Sequence, residues 1–220
     1  MGDVKVRLLQ NPTDQEFERI LDVYQEGFVH DQILNMLGSN TREFFRSRVQ
    51  ATLVDLQLWV VELDGEIGCV GIVSPPGKDL WDTEEKKKIR ETVSPKISPA
   101  IKQWLDTELE PLHENRSLIP GGGPAAVYYL HLVSTHPSFQ KKGLGSALLG
   151  KLEELARRDG SRVALETHTD SAASVYRKNG FRTLFKGVLD FKSELDTGPY
   201  YVMVNDCGLS PYLCHVDLTG

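Results

Sequence analysis

Hydrophobic positions recur along this chain with two different periods, and the switches between them mark out its elements. Val4, Val6 and Leu8 alternate with Lys5 and Arg7, the period of a half-buried strand. Thr13-Asp14-Gln15-Glu16 then reads as a capping box, with Thr13 capping a helix and Glu16 reaching back. Phe17, Ile20, Leu21 and Tyr24 follow at helical spacing. A second box, Asn40-Thr41-Arg42-Glu43, opens a helix carrying Phe44, Phe45, Val49 and Leu53. Residues 58–63 and 67–73 are apolar runs joined by Asp64-Gly65, a hairpin signal.

Residues 78–120 change character. They are charged and helix-favouring, with Ile101, Trp104, Leu105 and Leu109 on one face, and they close on Gly121-Gly122-Gly123-Pro124. A helical insertion or lid and a solvated charged helix both fit this pattern. Trp104 and its stripe read as core rather than as a ligand box. After it, 127–133 reads as a strand and 144–158 as a helix with Leu148, Leu149, Leu152 and Leu155. Another strand covers 162–167, and a short helix over 170–179 stops at Gly180. Two final strands are expected within 181–191 and 200–204.

Composition narrows the function classes. Hydrophobic residues make up 40% and charged residues 25%, an ordinary globular balance. The net charge of −6 argues against a non-specific nucleic-acid binder, which needs a basic face, and is compatible with a cationic substrate. No apolar run approaches a membrane span, and no signal pattern opens the chain. Cys69, Cys207 and Cys214 are too few for a disulfide framework and form no metal pair. The expectation is therefore a cytoplasmic protein without metal, membrane or nucleic-acid partner, monomeric or homodimeric.

The chemistry gathers at Gln140-Lys141-Lys142-Gly143-Leu144-Gly145-Ser146, between a strand and an amphipathic helix. Glycines let a ligand approach the main chain, and the free amides of a helix's first turn make an anion site. A pyrophosphate suits it, and Lys141 and Lys142 add local positive charge. In isolation the motif fits equally a glycine-rich connection that binds nothing. Neither standard phosphate-loop pattern is present.

At this point the sequence resembles the GNAT superfamily of N-acetyltransferases. That family's pyrophosphate loop, [QR]-x-x-G-x-[GA], stands here as Gln140-x-x-Gly143-x-Gly145. It follows Val133-Ser134-Thr135-His136-Pro137, and a terminal Y-x-x-x-G-F follows as Tyr176 to Phe181. The match is good over 125–205 and loose over 1–75, and it looks most like small-molecule acetyltransferases of the puromycin-acetyltransferase kind, including fungal-type members.

The resemblance implies a mixed α/β fold, a mostly antiparallel sheet splayed between 127–133 and 162–167 with coenzyme A wedged in the splay. It implies a single domain over 1–220, with 78–120 as a helical excursion over the acceptor side and a tail from 206. It also implies acetyl-CoA as acyl donor and a small-molecule amine as acceptor, with a protein or peptide acceptor, or a CoA-binding module without turnover, as the alternatives. Val133, Ser134 and Thr135 would hold the pantetheine arm and the acetyl carbonyl, and loop amides from Lys141 to Ser146 the pyrophosphate. Thr169 stands where the family places an asparagine on the cofactor arm.

Tyr176 is the candidate acid for the departing thiolate, against a plain core tyrosine. For the base, His131 is a candidate because side chains two apart on a strand share a face, which would set it beside Val133. A satisfied core histidine fits equally. Glu166 is the second candidate, against a carboxylate with a structural partner. Glu26, His30 and Asp31 would border the acceptor, and Cys69 is expected far from these motifs, so that no cysteine relay operates.

Overall fold

The computed structural model describes residues 2–36, 41–93, 97–191 and 197–210. Among these, β1 (Val4–Leu8), β2 (Gln57–Leu63), β3 (Glu66–Ser74), β4 (Tyr128–Thr135), β5 (Val163–Thr167), β6 (Arg182–Asp190) and β7 (Thr197–Asn205) form one sheet. Their order is β1-β2-β3-β4-β5-β7-β6. Every neighbouring pair is antiparallel except β4 and β5. The expected mixed α/β architecture holds.

Local chemistry explains the boundaries. Helix α1 (Asp14–Gly27) starts on Thr13, with both halves of the capping box formed. The β2–β3 turn places Asp64 at φ 53° and Gly65 at φ 85°, the two positive angles a tight hairpin of this type requires. Asn40 lies outside the described residues, and the helix expected after it, α3, runs Thr41–Asp55. Between them, α2 spans Gln32–Asn35 and is capped by Asp31.

Two layers cover the sheet. Helix α7 (Leu144–Arg158) buries Leu144, Leu148, Leu149, Leu152, Leu155 and Ala156 on one face, joined by Tyr176 from α8 (Asp170–Lys178). Truncating Leu148 or Leu152 to alanine is expected to cost ~2–5 kcal/mol. On the other face, α1 and α3 pack against β2 and β3, with Leu80, Trp81 and Ile89 beside them.

Although its first helix keeps most of its charged residues in solvent, the insertion is docked on the sheet. It comprises α4 (Glu84–Val93), α5 (Pro99–Trp104), a π-helical turn (Leu105–Leu109), α6 (Glu110–His113) and a 3₁₀ turn (Glu114–Leu118). Trp104, Leu109 and Ile119 pack on Ala164, Tyr200, Val202 and Val204, and Trp104 Nε1 donates to Asp190 O at 2.6 Å. Trp104 is core, as its spacing suggests. No helix among the described residues is long and apolar enough to cross a membrane.

Two strand details decide where a ligand could enter. β4 and β5 pair only from Tyr128↔Val163 to Leu130↔Leu165. Past that point β4 continues beside β3 to Thr135, while β5 continues beside β7 to Thr167, so a gap opens. At the start of the gap, Ile72 pairs with Leu132 and Val73 with Leu130, which leaves His131 as an extra residue in β4. A bulge of this kind bends its strand and turns it from its neighbour. It also breaks the side-chain alternation. His131 contacts Tyr129 and Ser74, whereas Val133 packs with the α7 face. The expectation that His131 and Val133 share a face is corrected: one inserted residue puts them on opposite sides.

Candidate active site

The gap holds a cleft of ≈ 280 Å³. Its floor is the end of β4, Val133, Ser134 and Thr135. Gln140, Gly145 and Leu149 form one wall, Ala172, Val175 and Tyr176 of α8 another, and Gly27 closes it from α1. Sequence reasoning missed Gly27. A Cβ there would lie 1.9 Å from Ser134 Oγ, which itself donates to Val23 O at 3.0 Å. At the end of a helix this glycine reads as an ordinary C-terminal residue, and only the crossing of α1 over β4 shows the close approach.

The loop is shaped from several directions. Gln140 Nε2 donates to Thr135 O at 3.2 Å and ties the loop to the strand. Lys141 sits at φ 61° and Gly143 at φ 85°. A lysine in the left-handed region costs about 1 kcal/mol or more, strain of the sort found at ligand loops. Ala147 N–H on Gly143 O is the first rung of α7, and Gly143 provides no side-chain cap. The first-turn amides are therefore left without intrahelical acceptors, as an anion site requires. At Gly145 an added Cβ would meet only Thr135 Oγ1 at 3.7 Å, so the main chain there lies open. Lys141, Lys142 and Ser146 are exposed, with Lys142 Nζ 5.1 Å from the Phe139 ring centre. Leu144 is buried and anchors the turn in the core.

Tyr176 faces this cleft from α8 and packs at 5.6 Å on Phe181, so the Y-x-x-x-G-F motif is a packing unit as well as a site. Burial pushes its phenol well above the usual tyrosine range, reinforced by Cys69. Cys69 is not remote from the motifs. It pairs directly with Thr135 across β3 and β4, a contact that strand order creates and sequence distance hides. Burial pushes its thiol up to about 11, with Thr135 opposing by a hydrogen bond. A thiol so protonated and fully buried is a poor nucleophile. Thr169 is exposed and spends its hydroxyl capping α8, accepting from Ala172 N at 3.1 Å.

On the far side of the gap the chemistry is polar and closed. Glu166 Oε2 accepts from Arg116 Nε at 2.7 Å and from the Tyr129 hydroxyl. The guanidinium comes from the insertion. Burial opposes its charge, but Tyr129 and Glu166 more than compensate, and its pKa stands above the ordinary value. Burial, then the charge of Glu166, holds the Tyr129 phenol well above its usual range. Glu166 Oε1, His168 Nδ1 and the Tyr200 hydroxyl are buried and find no hydrogen-bond partner among the described residues. Each such atom costs roughly 1–3 kcal/mol, more for a charged group.

The histidines around them are held neutral. Burial lowers His113 and His168 below the usual imidazole value. His131, with Nε2 2.6 Å from Ser74 Oγ, is pushed down to about 4, chiefly by burial. Of the residues expected to border an acceptor, Asp31 caps α2 and Glu26 Oε2 lies 3.1 Å from His136 Nε2.

The sequence matches the model of the acetyltransferase (GNAT) family over residues 18–181. The chain belongs to this family. No curated protein matches it. Solved structures share the GNAT fold. The histone acetyltransferase HPA2 and related acetyltransferase of Corynebacterium glutamicum is 20% identical, at TM-score 0.61 over 96% of this chain and 99% of that one. The polyamine N-acetyltransferase of Drosophila melanogaster is 16% identical, at TM-score 0.57 over 92% and 99%. The yncA protein of Salmonella typhimurium, solved with its cofactor acetyl-CoA, is 16% identical, at TM-score 0.54 over 91% and 92%.

The GNAT loop, strand and tyrosine thus converge on one cleft, although Lys141, Lys142, Gly143, Leu144, Ser146 and Thr169 do not line its interior. Glu166 and His131 lie outside it too, with the polar cluster on the insertion's side. Arg116, His168 and Tyr200 escaped sequence reasoning. Arg116 is fifty residues from Glu166 in sequence, and no local pattern announces their contact.

Proposed function

We propose that this GNAT protein moves an acetyl group from acetyl-CoA to a primary amine of a small molecule, by direct attack in a ternary complex. The observation that carries the reading is the convergence of Val133–Thr135, Gln140, Gly145 and Tyr176 on one cleft, at the open amides of α7. Those residues fit coenzyme A: a main chain open at Gly145, unpaired helix amides for a pyrophosphate, and a strand floor for an extended arm. Acetyl-CoA would supply the activated acetyl group.

The chain's own residues then divide the work. Loop amides from Lys141 to Ser146 hold the phosphates, with Lys141 and Lys142 adding charge, and β4 backbone at Val133, Ser134 and Thr135 orients the arm and the carbonyl. Thr169 stabilises the α8 end of the cleft through its cap. The elevated Tyr176 phenol stays protonated at neutral pH and donates its hydrogen to the departing sulfur. Between the two candidate bases, Glu166 has an oxygen free to accept an amine proton, whereas His131 is engaged with Ser74 and weakly basic.

A small acceptor is supported by the insertion, whose Trp104, Leu109 and Ile119 pack on Ala164, Tyr200, Val202 and Val204 at the far side of the gap. A structural relative in Drosophila acts on polyamines, which agrees with this class. The reading places the protein in the cytoplasm, free of metal, membrane and nucleic acid. The test is release of free thiol from acetyl-CoA against alkylamines, polyamines, aminoglycosides and lysine peptides. Release with small amines supports the proposal. Release only with peptides would assign a protein acetyltransferase, and acetyl-CoA binding without release would leave a binding module.

A further inference from the structure

The polar cluster beneath the insertion is hydrogen-bonded on one side and, among the described residues, unpaired on the other. Arg116 and Tyr129 both donate to Glu166 Oε2, and none of the described residues donates to Oε1. His113 Nε2 is 3.9 Å from Oε1, too far for a hydrogen bond. His168, one residue past the end of β5, has its ring against Tyr200, and its Nδ1 also finds no partner among the described residues. The Tyr200 ring, on β7, is 5.5 Å from the His168 ring and 6.2 Å from His113, and its hydroxyl is the third buried atom without a partner. Three orphaned polar atoms in one contiguous cluster are unusual, because buried polar groups are normally satisfied.

The kind of partner they lack can be read from their chemistry. A carboxylate oxygen only accepts. A neutral imidazole nitrogen and a phenol oxygen can both accept. A group that donates several hydrogens and accepts none of theirs satisfies all three, and a primary amine head in its protonated, ammonium form is such a group. A carboxylate or phosphate would face Glu166 Oε1 directly and be repelled. We propose that Glu166 Oε1, His168 Nδ1 and the Tyr200 hydroxyl form the seat of an aliphatic primary amine, roofed by His113 and Arg116 of the insertion. Arg116 and Tyr129 are then positioning residues that occupy one carboxylate oxygen and leave the other to the ligand. This deepens the acetyl-transfer reading by naming the acceptor's binding groups, and it rests on that reading for calling the ligand an acceptor.

The test titrates the protein with butylamine, butanol and butyrate, without and with saturating coenzyme A, following the histidine ring nitrogens by NMR. The expected result is saturable butylamine binding that shifts the His168 and His113 signals, with no butyrate binding. Glu166→Gln is expected to weaken butylamine about tenfold, and Tyr200→Phe about threefold, the range for one lost hydrogen bond to a charged and to a neutral group. Because Glu166→Gln also disturbs Arg116, Tyr200→Phe, which keeps the ring, is the deciding variant. Absence of butylamine binding, equal affinity in wild type and Tyr200→Phe, or butyrate binding as well as butylamine would overturn the seat. Butylamine binding without coenzyme A binding would uphold the seat while removing the acetyl-CoA reading.

Discussion

The two sides of the β4–β5 gap are built on opposite principles. On the α7 side the main chain does the work: open amides, positive-φ loop residues and a strand floor around a cleft. On the insertion side the side chains do it: Glu166, His168, Tyr200, Arg116 and Tyr129, half-buried to buried and, among the described residues, partly unpaired. Main-chain recognition depends on short motifs with glycines at fixed places. Side-chain recognition depends on residues brought together from distant segments. The first kind can be shared across a family with many acceptors, whereas the second can be rebuilt for each.

The largest expected effect would break the α7 side alone. Gly145→Asp places a carboxylate where space is open, and an acidic residue suits a helix's first turn. Unfolding temperature should therefore barely change, while acetyl-CoA affinity, read by calorimetry, falls by about two orders of magnitude through charge repulsion and lost access. Retained affinity would remove the loop from cofactor binding. Next, Tyr176→Phe should lower turnover about 10²-fold, the lower end for a lost proton donor, with acetyl-CoA affinity unchanged. Equal turnover would reduce Tyr176 to its packing role against Phe181.

The insertion side carries the pH dependence. His131 is held at about 4, well below an ordinary imidazole near 6.5. The folded state therefore resists protonation that the unfolded chain accepts. Stability is fully present above about pH 6.5 and is lost as pH falls toward 4, by up to about 3 kcal/mol from this one group. Denaturant unfolding at pH 7 and pH 4.5 should show the loss, and His131→Gln should flatten it. Parallel curves for the two proteins would contradict the assignment. The smallest effect sharpens the α7 side again: Lys142→Gln, at an exposed position, should weaken acetyl-CoA about threefold and reduce the salt dependence of its binding.

The same contrast explains what could be read without coordinates. The Thr13 capping box, the Asp64-Gly65 turn and the leucine stripe of α7 are local, so spacing alone located them. The loop and Tyr176 were legible because each is a short motif. The bulge at His131 was not, since one extra residue in a strand leaves the apolar pattern of Leu130, Leu132 and Val133 looking continuous. Cys69 beside Thr135 and Arg116 on Glu166 are products of strand order and of the insertion's path. Gly27 shows its purpose only where α1 meets Ser134. Residues far apart in sequence carry no mutual signal until the backbone brings them together.

The proposed function requires that acetyl-CoA be held by the main-chain side of the gap and not by the insertion. Hydrogen–deuterium exchange with and without acetyl-CoA tests it most directly. The expected result is protection concentrated in 133–135, 140–146 and 172–176, with 105–118 little changed. Protection centred on 105–118, or none in 140–146, would contradict it.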